Sequence, residues 1–192
     1  MPDKIRTAIF GGTFNPIHNG HIAIVRSILE QKLADEVWLM VTPCNPWKEG
    51  QNLLDNDKRL ELVRLAVSGI EGAYASDYEF RLPVPSYTAN TLRHLRRSYR
   101  RREFILAIGE DNWAAFRDWR DWQYIVSEFR LIVYPRQGYS ADPCIPEADV
   151  SILDCPLHDI SSTAIRQAVA SGQPIDGMVP EQVADTVVTL YR

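Results

Sequence analysis

Two histidines, His18 and His21, lie three residues apart after a glycine-rich turn in the segment GGTFNPIHNGH, residues 11–21. Gly11 and Gly12 allow the backbone to approach a ligand closely. The histidines fall at the amino end of an expected helix, where free N–H groups and the helix dipole favour an anion. Their spacing puts both imidazoles on one helical face. The segment therefore predicts a phosphate-binding turn to which both histidines donate hydrogen bonds.

The segment also admits other interpretations. It lacks the GxGxxG spacing of dinucleotide-binding oxidoreductases and the GxxxxGK[ST] spacing of P-loop enzymes. A zinc site would need further ligands, for which Cys44 is the only candidate. Two polar surface histidines after an ordinary strand–turn–helix are the remaining alternative. Asn15 and Pro16 are expected to form a fixed corner that directs the chain into the helix.

The elements that must position this segment alternate between strand and helix. Helical spacing predicts helices near residues 21–33, 57–68, 88–99, 161–171 and 180–191, and over parts of 111–128. Apolar runs predict strands at residues 5–10, 36–41, 73–80, 103–109, 130–135 and 150–154. This alternation predicts an α/β fold, a single doubly wound, Rossmann-like domain with a mostly parallel sheet of five to six strands. Such sheets bind ligands at the carboxyl ends of their strands, where the glycine-rich turn would lie.

Composition limits the partners of this chain of 192 residues, of which 45% are hydrophobic. A formal net charge of −4 provides no global field for nucleic acid or an anionic membrane, so local charge must hold an anionic substrate. Three cysteines without a CxxC pair, and no apolar run typical of a signal peptide, favour the cytoplasm. The six arginines between residues 93 and 102 could suggest RNA, but at a helix's carboxyl end a solvated surface is favoured.

A second candidate phosphate site lies near the end of the chain, in the segment ISSTAIR, residues 160–166. Serine and threonine are typical of helix N-caps. Arg166 falls one turn into the expected helix, where its guanidinium could pair with phosphate oxygens. Taken by itself, the segment is also compatible with an ordinary capped helix and a surface arginine.

The two segments together resemble the signature of the HxGH nucleotidyltransferases, a superfamily of adenylyl- and cytidylyltransferases. Within it, the chain resembles the bacterial nicotinate mononucleotide adenylyltransferases from about residue 7 to the carboxyl terminus. The resemblance implies adenylyl transfer from ATP to nicotinate mononucleotide in NAD biosynthesis, giving nicotinate adenine dinucleotide and pyrophosphate. It also implies Mg²⁺ bound with ATP, no metal ligand from the protein, and helices within 161–192 that complete the ATP site.

Four further stretches carry this narrower resemblance. They are PCNPWK, PSYTANTL, LAIGEDNWAAFRDW and YPRQGY. The second implies that Thr88 caps a helix whose N–H groups meet the nicotinate carboxylate, and the third that Trp119 stacks on the pyridine ring. The fourth implies that Arg136 contacts phosphate, although Gln137 stands where the family usually has proline. The implied substrate-binding residues are Lys48, Thr88, Trp119 and Arg136.

The resemblance also implies which residues meet ATP. His18 and His21 would donate to the α- and β-phosphates, and Arg166 would hold the leaving pyrophosphate, which makes these three the expected catalytic residues. Asp111, beside Gly109, would accept the ribose hydroxyls. The implied ATP-binding residues are Gly11, Gly12, Thr13, Phe14, Gly109, Asp111, Ser161, Ser162 and Thr163.

Several functions remain open at this point. Phosphopantetheine and nicotinamide mononucleotide are alternative acceptors within the same chemistry. A nucleotide-binding regulator without catalysis is disfavoured by His18, His21 and Arg166, since binding alone would not demand a donor at every phosphate. A dehydrogenase is disfavoured because the dinucleotide motif is missing. The expected partners are small molecules, and a homo-oligomer stays open.

Overall fold

Six parallel strands form one sheet in the computed structural model, which describes residues 4–43, 53–139 and 145–192. The strands are β1 (Ile5–Gly12), β2 (Glu36–Val41), β3 (Ala73–Ser76), β4 (Arg102–Gly109), β5 (Arg130–Tyr134) and β6 (Val150–Ile152). Cys44 and Lys48, to which the sequence assigned candidate roles, lie outside the described residues.

Seven α-helices connect or follow these strands within the described residues. They are α1 (Asn19–Glu30), α2 (Asn56–Val67), α3 (Thr88–Ser98), α4 (Glu110–Ala114), α5 (Trp122–Glu128), α6 (Ser162–Ala170) and α7 (Ala184–Tyr191). Short 3₁₀ turns occupy Tyr78–Arg81, Phe116–Asp118 and Glu181–Val183. In the part of the chain that the structure describes, no helix has the length and apolar character needed to span a membrane.

The strand order is β3-β2-β1-β4-β5-β6, so the chain starts in the middle of the sheet and builds outward twice. Phe10 of β1 stands opposite Leu39 of β2 on one side and Ala107 of β4 on the other. The order therefore reverses between β1 and β4, where the loops after the two strands diverge to opposite faces and open a crevice. The predicted doubly wound α/β fold is confirmed.

Alternation along the central strand distributes the core between two layers. Ala8 and Phe10 pack in a cluster with residues of α1, α2, α6 and α7, whereas Ile9 packs in a second cluster with residues of α3, α4 and α5. Successive side chains of a strand point to opposite faces, so a continuous apolar run indicates a strand that is buried on both. The helices on both faces fix the sheet and, with it, the crevice between β1 and β4.

Two predicted elements differ from the structure. The strand predicted at 73–80 ends at Ser76, because the Ser76 hydroxyl accepts a hydrogen bond from the Tyr78 N–H at 3.3 Å and a 3₁₀ turn begins. The helical signal in 111–128 divides into α4, a 3₁₀ turn and α5. The residue before α5, Asp121, has a left-handed backbone with φ of 56°, which a continuous helix would not contain.

The arginine cluster expected to form a solvated surface is partly engaged in ion pairs. Arg93 contacts Asp121 at 2.7 Å, and Arg96 contacts Glu128. Arg102 pairs with Glu36, which also accepts a hydrogen bond from the buried Thr7 hydroxyl at 2.7 Å. The last group lies at the amino edge of the sheet, opposite the crevice, and stabilises the fold. The residue before Glu36, Asp35, is exposed and forms a separate ion pair with Arg6 at 2.6 Å.

We expect Glu36→Gln to lower the free energy of unfolding by about 2–3 kcal/mol, because it leaves the shielded Arg102 guanidinium without its counter-ion. Asp35→Asn, the matched control at an exposed ion pair, should cost less than about 1 kcal/mol. Denaturant unfolding monitored by circular dichroism measures both values. Equal losses in the two variants would contradict the structural weight given to the Glu36 network.

Candidate active site

A cleft of about 900 Å³ opens at the carboxyl edge of the sheet, above β1 and β4. The loop after β1, the start of α1, the segment before α3, the residues after β4 and the start of α6 form its walls. Most of the predicted site residues line it, namely Gly11, Gly12, Thr13, Phe14, His21, Thr88, Asp111, Trp119, Arg136, Ser161, Ser162, Thr163 and Arg166. The structure thus brings together segments that the sequence separates by about 150 residues.

A smaller cavity of about 370 Å³ adjoins the cleft and shares His21, Asp111, Arg136 and Ser161 with it. His18 and the exposed His158 belong to its lining. The sequence interpretation missed the part of this wall before α6, which includes Leu157 and His158. Only its position beside ISSTAIR could have indicated that role. The two cavities form one continuous site whose junction contains both a guanidinium and a carboxylate.

His18 and His21 occupy the positions that the motif predicted. His18 is the N-cap of α1 and His21 lies in its first turn, with ring centroids 3.7 Å apart and a 28° interplanar angle. The backbone N–H of His18 donates to His21 Nδ1 at 3.2 Å. An accepting Nδ1 carries no proton, so the proton of a neutral His21 is on Nε2. His18 is 4% exposed, so the alternative of two surface histidines is wrong.

The environment of His18 keeps its imidazole neutral. Burial, followed by the nearby charges of Arg136 and His158, lowers the pKa of His18 to about 4. Its Nδ1 is buried and, among the described residues, has no hydrogen-bond partner; Arg136 Nε has the same character. Buried polar atoms without partners are rare in folded proteins. A ligand bearing oxygen acceptors would match the Arg136 Nε–H directly, and His18 Nδ1 when that nitrogen carries a proton.

Gly109 lies close to two polar side chains at the end of β4. A Cβ atom at this position would lie 2.4 Å from Asp111 Oδ1 and 3.0 Å from Arg136 Nε. These two groups are 3.7 Å apart across the site, and the Arg136 backbone N–H donates to Glu110 Oε2 at 2.8 Å. The glycine therefore allows an acidic and a basic side chain to meet where the two cavities join.

The two signature segments contact each other directly. The Ser161 hydroxyl caps α6 by accepting from the Ala164 N–H at 3.1 Å, as its type predicted. The Ser162 hydroxyl donates to the Pro16 carbonyl at 2.8 Å, and Arg166 donates to the Asn15 carbonyl at 2.7 Å. These bonds place the amino ends of α1 and α6 at one cleft.

The other end of the cleft contains the residues expected to bind a flat acceptor. Trp119 is half-buried, lines the cleft and packs against Phe116 at 5.1 Å, whereas Trp113 is buried in the core. The predicted capping role of Thr88 is wrong. α3 starts at Thr88 itself, and its N-cap is Tyr87, which makes no side-chain capping bond. Thr88 lines the cleft as the first helical residue.

Sequence reasoning missed a buried carboxyl group at this end. Glu79 is 6% exposed, lines the cleft and accepts a hydrogen bond from the Thr91 hydroxyl at 2.7 Å. Burial raises the pKa of Glu79, an effect that the bond from Thr91 opposes. A glutamate beside tyrosine and phenylalanine in an expected strand gave no signal of this position.

Asn15, to which the sequence gave only a corner-forming role, connects several elements. It is 3% exposed, and its Oδ1 accepts hydrogen bonds from the Tyr191 hydroxyl at 2.6 Å and the Leu54 N–H at 3.2 Å. Arg59 is fully buried and donates to the carbonyl of Thr13 in the same loop. Neither Arg59 nor Tyr191 lies near the motif in sequence, so nothing in the pattern indicated them.

The depressed pKa of His18 predicts a dependence of stability on pH. The unfolded histidine takes up a proton near pH 6.5 and the folded one only near pH 4, so stability is fully present above about pH 6.5 and falls as the pH approaches 4. Between pH 8 and pH 5, the wild type should lose about 2 kcal/mol more than His18→Gln. Urea unfolding at both pH values measures the difference, with the exposed His94→Gln as control. Parallel losses in the wild type and His18→Gln would contradict a neutral, buried His18.

Comparison with known proteins agrees with the family resemblance seen in the sequence. The cytidylyltransferase-like family model matches residues 9–168. A Bacteroides fragilis protein named nicotinate-nucleotide adenylyltransferase is 48% identical over 172 residues, 90% of this chain and 86% of the relative. A relative of the same name from Christiangramia forsetii is 39% identical and covers 93% of each chain.

Solved structures share the fold. Plasmodium falciparum nicotinic acid mononucleotide adenylyltransferase, determined in complex with NaAD, superposes with a TM-score of 0.82 at 18% identity and covers 97% of each chain. A Vibrio parahaemolyticus protein described by the same enzyme name superposes with a TM-score of 0.75 at 23% identity, covering 98% of this chain and 96% of the other. By its sequence relatives, the chain belongs to the cytidylyltransferase-like family and, within it, to the nicotinate-nucleotide adenylyltransferases.

Proposed function

We propose that the cleft transfers the adenylyl group of ATP to nicotinate mononucleotide, releasing pyrophosphate and forming nicotinate adenine dinucleotide. One observation carries the proposal: the amino ends of α1 and α6 meet at a single cleft that also receives His21, Arg136 and Arg166. Helix amino ends and basic side chains are suited to a polyphosphate. The choice of nicotinate mononucleotide as acceptor follows from the names of the sequence relatives.

The proposed ATP site occupies the junction of the two cavities. His18 and His21 donate to the α- and β-phosphates, and Arg166, with N–H groups near Ser162 and Thr163, holds the leaving pyrophosphate. Gly11, Gly12, Thr13 and Phe14 approach the nucleotide through their backbone. Gly109 leaves room for Asp111 to accept the ribose hydroxyls, and Ser161 caps the helix that faces the phosphates. Residues 161–192 thus complete this site within the one domain of residues 1–192.

The acceptor is placed at the opposite end of the cleft. The half-buried face of Trp119 suits a flat pyridine ring. The first N–H groups of α3, beginning at Thr88, lack intrahelical acceptors and favour a carboxylate. Arg136 contacts phosphate near the junction, in spite of Gln137 in place of the family's proline. Lys48, which lies outside the described residues, is proposed to bind the mononucleotide phosphate.

Catalysis in this arrangement depends on position and charge. The acceptor phosphate is already anionic at pH 7 and attacks the α-phosphorus in line, so no strong base is required. Donors that stay fixed while charge moves onto the pyrophosphate lower the barrier. His18 is neutral before ligands bind, and a neighbouring polyphosphate would raise its pKa.

The basic side chains at the phosphate end are imidazoles and guanidiniums, which do not suit magnesium, and the Asp111 carboxylate at the junction lies 3.7 Å from Arg136 Nε. Among the described residues, no group of three His, Cys, Asp or Glu side chains could hold a metal. We therefore place the Mg²⁺ of this reaction on the ATP polyphosphate, held by phosphate oxygens and water. Bound there, it would offset the negative charge of the polyphosphate.

The remaining assignments rest on composition. The buried Cys155 is a free thiol, which supports a cytoplasmic location, and the net charge of −4 supports small-molecule partners without nucleic acid or membrane. Phosphopantetheine and nicotinamide mononucleotide remain alternative acceptors. Donors at successive phosphate positions argue against a regulator that only binds nucleotide.

The assignment is tested by incubating the protein with ATP, Mg²⁺ and either nicotinate or nicotinamide mononucleotide while pyrophosphate is measured. We expect rapid release of pyrophosphate with nicotinate mononucleotide and slower release with nicotinamide mononucleotide. The reason is that the backbone N–H groups at the start of α3 favour a carboxylate. Phosphopantetheine serves as the third acceptor. Faster turnover with either alternative would overturn the acceptor assignment, and no release with any acceptor would overturn the reaction.

Replacing either histidine should slow turnover without unfolding the protein. We expect His18→Ala and His21→Ala to lower kcat by about 10²- to 10³-fold, the usual loss when one preorganised donor is removed. His94→Ala, an exposed histidine on α3, is the matched control and should retain wild-type kcat. Steady-state kinetics with thermal unfolding as a fold check gives the answer, and near-normal activity of both variants would contradict the mechanism.

A further inference from the structure

Arg59 of α2 has a guanidinium that is fully buried behind the loop after β1. It donates to three backbone carbonyls: to Leu54 at 2.9 Å, to Thr42 at 3.1 Å and to Thr13. It also donates to Asn56 Oδ1. A single side chain thus connects the loop after β1, the end of β2 and the approach to α2.

The charge of Arg59 has no carboxylate in contact with it among the described residues; Asp55 acts on it only at longer range. Burial lowers the pKa of the guanidinium, but arginine stays protonated in proteins. A buried charge is costly unless its donors are satisfied, and here backbone carbonyls satisfy them. Because a lysine or an apolar residue cannot reproduce these diverging bonds, the position requires the shape of a guanidinium.

The loop held by Arg59 contains a strained residue. Phe14 has a left-handed backbone with φ of 44°, which is rare for a residue other than glycine, and its ring is buried. Such a conformation persists only where the surroundings fix it. The peptide between Thr13 and Phe14 has its carbonyl directed to Arg59, and the N–H of a trans peptide points the opposite way. That N–H belongs to Phe14, which lines the cleft together with Thr13.

The next residue of the loop is anchored from the other end of the chain. The Tyr191 hydroxyl donates to Asn15 Oδ1 at 2.6 Å, and Arg166 donates to the Asn15 carbonyl at 2.7 Å. Asn15 Oδ1 also accepts the Leu54 N–H at 3.2 Å, so the Arg59 and Tyr191 bonds are linked through Leu54. Donors from α2, α6 and α7 therefore hold the Thr13 carbonyl, the Asn15 carbonyl and the Asn15 side chain of one short loop.

We propose that Arg59 and Tyr191 are positioning residues for adenylyl transfer, which hold Thr13–Asn15 so that the loop's N–H groups face the α-phosphate. Neither side chain is assigned a contact with substrate. This inference rests on the proposed function, because it presumes that the loop meets the ATP phosphates. It predicts that loss of either anchor slows the chemical step more than it weakens substrate binding.

The first test compares Arg59→Lys with Arg64→Lys, an exposed arginine on the same helix. We expect Arg59→Lys to lower kcat about 10- to 100-fold with KM for both substrates changed less than about threefold, because small misplacement of reacting groups costs this much. Arg64→Lys should match the wild type. Thermal unfolding above the assay temperature must confirm that each variant is folded.

A second readout separates positioning from general destabilisation. ATP with sulfur replacing one non-bridging oxygen of the α-phosphate reports on donors to that group, so the ratio of kcat for ATP to kcat for the thio analogue should be smaller in Arg59→Lys than in the wild type. An unchanged ratio with reduced kcat would overturn the proposal, because it would indicate only a smaller active fraction. Inactivity of the wild type itself would count against the proposed function instead.

If Arg59→Lys does not fold, Tyr191→Phe decides, because it removes a single hydroxyl. We expect kcat to fall about 3- to 10-fold, the weight of one hydrogen bond, with a smaller thio ratio and little change in KM. Tyr74→Phe, an exposed tyrosine, is the control and should behave as the wild type. Wild-type kcat and thio ratio in Tyr191→Phe would overturn the proposal.

Discussion

The hydrogen bond from Arg166 to the carbonyl oxygen of Asn15 joins two segments that are 151 residues apart. Each segment alone offers one helix amino end, which is a weak anion site. Joined at the β1–β4 crevice, the two ends face the same volume and can hold successive phosphates of one polyphosphate. The parallel sheet makes this joining possible, because it sends both connections to its carboxyl edge. The bond from Ser162 to the Pro16 carbonyl fixes their relative orientation.

Basic side chains border the site, although the net charge of the whole chain is negative. The chain carries a formal net charge of −4, yet His18, His21, Arg136 and Arg166 border the two joined cavities. Asp111 is held beside Arg136, which tempers its repulsion of an anion. A polyphosphate would therefore meet two guanidiniums and two imidazoles in a chain whose formal net charge is negative. The free-energy cost of a buried charge is avoided in the absence of ligand, because His18 is neutral until a ligand makes the charged form favourable.

The fold and most of the site were predictable because their signals are local. Apolar runs indicate the buried strands. The HxGH and ISSTAIR segments each indicate a turn or helix cap, together with hydrogen-bond donors, within a few residues. The errors arose where short-range signals were ambiguous: Thr88 was expected to cap α3 but begins it, and the strand through Tyr78 gave way to a turn after Ser76. Arg59 and Glu79 were missed for a different reason, since their roles exist only through partners distant in sequence or through burial.

The order in which the ribosome delivers these elements has a consequence for the nascent chain. All six strands precede α6, so the sheet can assemble before the second helix amino end has left the ribosome. Until then the loop after β1 lacks its bonds from Ser162, Arg166 and Tyr191. An incomplete chain would therefore have a formed sheet with no competent polyphosphate site. In the proposed site, a bound nucleotide would therefore stabilise chains that include α6 and α7 over chains that lack them.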